Sequence, residues 1–282
     1  MTDTESDKTG VLYIVGTPIG NLGDMSPRGV ETLQDADYIA AEDTRVTLKL
    51  LGHFGIKKPL ISYFKPREQE KSIRILSLLE DGNKIALVSD AGMPCISDPG
   101  ALLVRECAKR GINVETVPGC NAAVAAVAAS GLETERWIFE GFLPVDNKKR
   151  SERLEQIRRL PHTLVFYEAP HKLRQTLRDI REALGGERRC ALCRELTKLH
   201  EEIVRLTLDE AVSYYNDLEP RGEYVIVVSG SAAESSVYTL EQAVELARQL
   251  IAGGSRPSDA CRDAAKITGI PKRDIYAAAA VE

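Results

Sequence analysis

Two short polar clusters, "AEDTR" at 41–45 and "RELTK" at 194–198, each end an apolar run, and a lone carboxylate, Asp90, closes the run "KIALVSD". A carboxylate at the end of a buried strand must find a partner, and in open α/β sheets that end faces the ligand. Acidic groups beside cations suit proton removal from a weakly acidic hydroxyl and charge stabilisation nearby. Asp43, Arg45, Arg194, Glu195 and Lys198 are therefore the candidate catalytic residues. Each cluster also has a plainer reading. Asp43 or Thr44 could cap a helix, with Arg45 pairing to Glu42, and Arg194, Glu195 and Lys198 could form a turn network.

The elements that must position these groups alternate. "VLYIVG" (11–16), "ADYIAAE" (36–42), "PLISYF" (59–64), "KIALVSD" (84–90) and "INVETVPG" (112–119) read as strands, separated by helical stretches near 26–34, 44–53, 66–80 and 99–110. Continuous apolar strands alternating with helices predict a mostly parallel sheet covered on both faces. A second α/β segment follows, with strands at 163–168, 189–196, 201–206 and 222–230. The expected organisation is a polar tail (1–10), an N-terminal α/β domain (11–118), a second α/β domain (119–231) and a C-terminal helical module (237–282) after the linker "AAESS" at 232–236. In that module Thr239 and Gln242 fit a capping box, Gly253 and Gly254 end a helix, Ser258 can cap the next and Pro271 suits a first turn.

The turns after the strands narrow the ligand. The first, "GTPIGNLG" at 16–23, matches no dinucleotide or P-loop pattern, and Pro18 removes a donor that a phosphate cradle needs. In "VSDAGMPCISDPG" Asp90 meets a tight turn, while Asp98 can cap the following helix with Pro99 at its first position. "VPGCNAAVAAVAAS" enters a helix of small residues that admits a flat ring. Three such turns, none built for phosphate, fit a compact adenosine ligand such as S-adenosylmethionine, whose cationic groups seek carboxylates.

At 43% hydrophobic and 28% charged the chain is ordinary for a globular protein. Its net charge of −5 argues against a nonspecific nucleic-acid coat. The run "NKKRSERLEQIRR" (147–159) is nonetheless basic, and Lys148, Lys149, Arg150 and Arg153 are its candidate RNA contacts. Cys190 and Cys193 form the one CxxC among six cysteines, without partners to complete a zinc site. The four histidines are scattered, so no metal site is expected. With no apolar leader or membrane-length run, the chain reads as cytoplasmic.

"GTPIGNLGDMSPR", "AEDTR", "SDAGMPCISDPG", "PGCNAA", "GFLP", "FYEAPHK", "RELTK" and "GEYVIVV" occur in this order over about 11–230. Together they resemble the ribosomal RNA small-subunit methyltransferase I family, within the tetrapyrrole-methylase-like methyltransferases. The resemblance implies a cleft between two α/β domains that binds S-adenosylmethionine. Pro18 would line one side, Ser89, Asp90, Gly92 and Met93 the next, and Pro118, Gly119, Asn121 and Ala122 a third. Phe142, Leu143, Tyr167 and Glu223 would close it from the second domain. Asn121 offers an amide where the family carries a hydroxyl. The implied reaction is 2′-O-methylation of a cytidine ribose in the decoding region of 16S rRNA in the small ribosomal subunit, by a homodimer. Asp43 or Glu195 would then orient or deprotonate the hydroxyl while Arg194 and Lys198 hold RNA phosphate.

Overall fold

The computed structural model describes residues 10–231 and 239–279. β1 (Val11–Val15), β2 (Tyr38–Ala41), β3 (Leu60–Ser62), β4 (Lys84–Val88) and β5 (Asn113–Val117) form an all-parallel sheet in the order β3-β2-β4-β1-β5. Because successive strand side chains point to opposite faces, β4 divides its residues between two cores. Ile85 and Leu87 pack with Ile75 and Leu79 of α3 (Glu68–Glu80) and Leu103 of α4 (Ala101–Lys109). Ala86 and Val88 pack with Leu33 of α1 (Pro27–Asp35) and Leu51 of α2 (Thr44–His53). Burial on both faces is why these strands read as unbroken apolar runs.

The second sheet is mixed. β6 (Trp137–Phe142), β7 (Thr163–Glu168), β8 (Arg189–Arg194), β9 (Glu202–Thr207) and β10 (Tyr224–Val228) lie in the order β6-β7-β10-β8-β9. Only β6 and β7 are parallel. The small-residue helix α5 (Ala122–Ser130) covers one face, its Ala123, Ala126 and Val127 meeting Val165, Ala191 and Val225. α6 (Asn147–Ile157), α7 (Pro170–Leu184) and α8 (Leu208–Asp217) pack in series. Neither β6 nor α8 is anticipated by the strand and helix patterns. β6 is a half-buried edge strand interrupted by Gly141. α8 begins at a Thr207–Glu210 capping box, both bonds of which form.

Both sheets belong to one compact unit, residues 10–157 and 162–229, while residues 158–161 and 230–279 form another. The latter carries α9 (Leu240–Ala252), α10 (Pro257–Thr268) and α11 (Lys272–Ala279) around Ala243, Ala247, Cys261, Ala264 and Ile275. The Thr239–Gln242 capping box is present, and Gly253 follows α9. Ser258 is not a cap: Pro257 takes the first helical position and Arg256 the cap. Pro271 precedes α11, its carbonyl accepting from Asp274 and Ile275. Gly10 belongs to the fold rather than to the expected tail, since it is buried and its N–H donates to Leu79 O. The remainder of that tail and the linker at 232–236 lie outside the described residues.

The strand-end turns of the first sheet are stitched together. Thr17 and Gly92 exchange two backbone hydrogen bonds of 2.9 and 3.1 Å, joining the turns after β1 and β4. Gly16 meets Gly119 so closely that a Cβ on Gly16 would lie 2.7 Å from Gly119 Cα. Gly16→Ala is therefore expected to destabilise the chain by about 1–3 kcal/mol in denaturant unfolding. Gly52→Ala, in α2 with nothing within 4 Å of the new methyl, should be neutral or stabilise by up to about 1 kcal/mol.

Candidate functional site

These turns border a cavity of about 480 Å³ lined from both sheets, within the usual range of roughly 300–1,000 Å³ for small-ligand pockets. From the first sheet three carboxylates line it, Glu42 after β2 and Asp90 and Asp98 after β4, and from the second sheet Glu168, Glu195 and Glu223. Asp90 Oδ1 accepts from the Asp43 N–H at 2.9 Å, and the Asp90 N–H donates to Glu42. Burial, then repulsion from Asp98 and Asp90, pushes Glu42 up to about 6 against the pull of Lys65. Burial likewise pushes Asp98 up to about 6, with a hydrogen bond from Ser89 opposing and Asp90 adding. Burial also raises Asp90. Among the described residues no salt bridge reaches any of the three.

Asp98 is thus not the helix cap expected from sequence. Gly100, with φ of 134°, occupies the position before α4, and its N–H is taken by Glu68 Oε1 of α3 at 2.9 Å. Left without that duty, Asp98 turns to the cavity. Glu42, expected to pair with Arg45, is likewise free of it, because Arg45 forks onto Asp43 at 2.6 Å. Both residues lie in motifs singled out from sequence; the missed signal was that strand-end carboxylates with an alternative cap nearby are released for other work.

Asp43 takes the plainer role. It caps α2 through the Arg45 N–H, and its hydrogen bonds from Arg45 hold its carboxyl down at about 2. Neither it nor Arg45 lines the cavity. Glu195 and Lys198 do, on the opposite wall. Lys198 Nζ bridges Glu195 at 3.0 Å and Glu223 at 2.8 Å. Burial would raise Glu195, but the Glu223 N–H and the Lys198 ammonium outweigh it and hold it low. Arg194 is turned to Glu202 at 3.1 Å, away from the lining.

Of the residues expected around the cofactor, Asp90, Gly92, Met93, Asn121, Ala122, Phe142, Tyr167 and Glu223 line the cavity. Pro18, Ser89, Pro118, Gly119 and Leu143 are not in its lining. Ser89 is buried, its hydroxyl oxygen 3.3 and 3.4 Å from the carbonyls of Ala91 and Gly92 and within reach of Asp98, so its one proton is shared among them. Asn121 caps α5 by accepting from the Val124 N–H, a task a serine also performs. The Tyr167 hydroxyl accepts from the Ala123 N–H at 3.1 Å, fixing its ring in the wall. Four non-glycine residues with positive φ, Cys95, Ser97, Glu195 and Thr197, sit in the two loops that flank the cavity. Strain of this kind concentrates at functional sites.

The basic run resolves differently from its sequence reading. Arg150 is largely buried against Asp179 and Thr176, and Arg153 forks onto the buried carboxylate of Glu140 at 2.6 and 2.8 Å. Lys148 and Lys149 are exposed on α6. Cys190 and Cys193 are buried in β8, three apart and so on opposite faces. Among the described residues there is no cluster fit to hold a metal, and no helix is long and apolar enough to cross a membrane.

Residues 11–212 match the family model of the tetrapyrrole (corrin/porphyrin) methylases. The fold agrees: uroporphyrin-III C-methyltransferase from Thermus thermophilus, solved with S-adenosylhomocysteine, superposes with a TM-score of 0.56 at 17% identity, covering 77% of this chain and 97% of its own. Ribosomal RNA small subunit methyltransferase I of Synechocystis sp. is 46% identical, covering 95% of this chain and 96% of its own length. The Thermotoga maritima protein of that name is 48% identical and covers 78% of this chain but 99% of itself. The chain belongs to the tetrapyrrole methylase family and, within it, to the ribosomal RNA small subunit methyltransferase I family.

Removing one cavity charge should relieve its burial cost. A carboxyl whose folded value is raised stabilises the fold below its unfolded value and loses that contribution as pH rises through about 6. Asp98→Asn is therefore expected to raise the melting temperature at pH 8 and to change it little at pH 4, measured by calorimetry at both.

Proposed function

We propose that this chain transfers a methyl group from S-adenosylmethionine to the ribose 2′-hydroxyl of a cytidine in 16S rRNA of the small ribosomal subunit. The observation that carries this reading is the convergence of Glu42, Asp90 and Asp98 on one cavity without paired cations, in a chain of this methyltransferase family. Such a donor set favours a cationic ligand, and the apolar Ile19, Ala122 and Tyr167 of the same lining suit an adenosine ring. The residues present therefore fit the cofactor. When bound, it supplies a methyl carbon activated by a positively charged sulfur.

The protein's share is alignment, exclusion of water and proton removal. Asp90 and Asp98 hold positive charge. Glu42 is a better proton acceptor than Asp43 or Glu195, because it faces the cavity with a raised affinity for protons while those two are bound to cations. Lys198, at the far wall, can exchange a carboxylate partner for an RNA phosphate. The exposed Lys148 and Lys149 are the remaining phosphate contacts of their run. The family resemblance also supports a cytoplasmic homodimer.

Purified protein incubated with labelled S-adenosylmethionine and unmodified small subunits should yield 2′-O-methylcytidine by mass spectrometry of the nucleosides. Cofactor binding with no label in RNA would overturn the reading in favour of a small-molecule methyltransferase. In the same assay Glu42→Gln is expected to lower kcat by about 10²–10⁴-fold. The wild-type rate should fall as pH drops through about 6, where the Glu42 carboxylate takes up its proton, and the variant should lack that limb.

A further inference from the structure

The edge strand β6 carries an irregularity that core packing does not require. Phe139 pairs with Val165 and Phe142 with Tyr167, so Glu140 is an extra residue and the strand bulges before Gly141. In a regular strand residues 139 and 142 would face opposite ways. The bulge brings both onto Tyr167, at ring separations of 4.9 and 5.6 Å. Bulges next to active sites commonly re-aim a side chain. This one is anchored, since Glu140 is gripped by both arms of Arg153 and Gly141 takes a φ of 64°.

The result is a phenyl ring that lines the cavity yet is 58% exposed. Ile96, also lining the cavity, is 43% exposed. Their loops touch: a Cβ on Gly141 would lie 3.2 Å from Ser97 Oγ. Two solvent-facing apolar side chains thus belong to the lining of the same cavity as the carboxylates.

We propose that Phe142 is a stacking platform for the nucleobase of the nucleotide being methylated, with Ile96 adding apolar surface in the same lining. The proposal rests on the methyl-transfer reading above. A nucleotide presented to an enclosed site leaves its stack, and an aromatic face replaces the lost neighbour. The resemblance to the family assigned Phe142 to the cofactor; its exposure at the rim instead favours the substrate side. Arg153, expected to touch RNA, acts as a positioning residue that holds the bulge.

The test compares Phe142→Ala, Phe142→Trp and wild type in steady-state methylation and filter binding of unmodified small subunits, with cofactor affinity measured by calorimetry. Phe142→Ala should raise KM for the subunits and weaken their binding about ten- to a hundredfold. Its S-adenosylmethionine Kd and melting temperature should stay at the wild-type values, and Phe142→Trp should restore subunit binding. An unchanged KM for the subunits overturns the proposal. A cofactor Kd weakened in proportion also overturns it, assigning the ring to adenine. A wild type that neither binds nor methylates the subunits overturns both this proposal and the function on which it rests.

Discussion

Like charges held together without a salt bridge to any of them govern this molecule. Glu42, Asp90 and Asp98 are brought to one cavity by the ends of two adjacent parallel strands, β2 and β4. Burial and mutual repulsion make their charged forms costly, and the Asp43 and Asp90 N–H groups, the Ser89 hydroxyl, Lys65 and Arg45 offset this in part. A fold that keeps such an arrangement needs rigid scaffolding. The Thr17–Gly92 bridge and the Gly16–Gly119 contact supply it by locking three strand-end turns together. The same cost becomes useful when a cation enters, because the ligand then replaces repulsion by attraction.

The opposite wall follows a contrasting rule. Glu195, Lys198 and Glu223 are hydrogen-bonded to one another, so here two carboxylates share one ammonium instead of standing without a salt bridge. Gly20 packs against Lys198 so tightly that a Cβ there would lie 2.4 Å from its Cγ, which ties the first sheet's opening turn to the second sheet. One wall therefore attracts a cation while the other is held in register with it. The flanking loops carry the positive-φ residues, where precision rather than stability is served.

Much of this was legible in the chain itself. The parallel sheet announced itself through unbroken apolar runs, and α2 follows Asp43 as the cap chemistry predicts. What sequence could not give was the allocation of neighbouring acids. Asp43 and Glu42 are adjacent, and only the fork of Arg45 decides which one is neutralised. Asp98 reads as a cap because Pro99 follows it; instead Gly100 takes the N-cap position with no side-chain cap, and its N–H goes to Glu68, thirty-two residues away. Arg150 and Arg153 looked like a nucleic-acid patch because their partners, Asp179 and Glu140, are supplied by other elements. Long-range ion pairing leaves no local periodicity to read.

The central claim is that uncompensated carboxylates hold a cationic ligand, and calorimetry across pH tests it most directly. The affinities of S-adenosylmethionine and of its neutral thioether, S-adenosylhomocysteine, would be compared between pH 5 and pH 8. The account predicts that the preference for the sulfonium grows as pH rises through about 6, where Glu42 and Asp98 lose their protons. A preference independent of pH would contradict it.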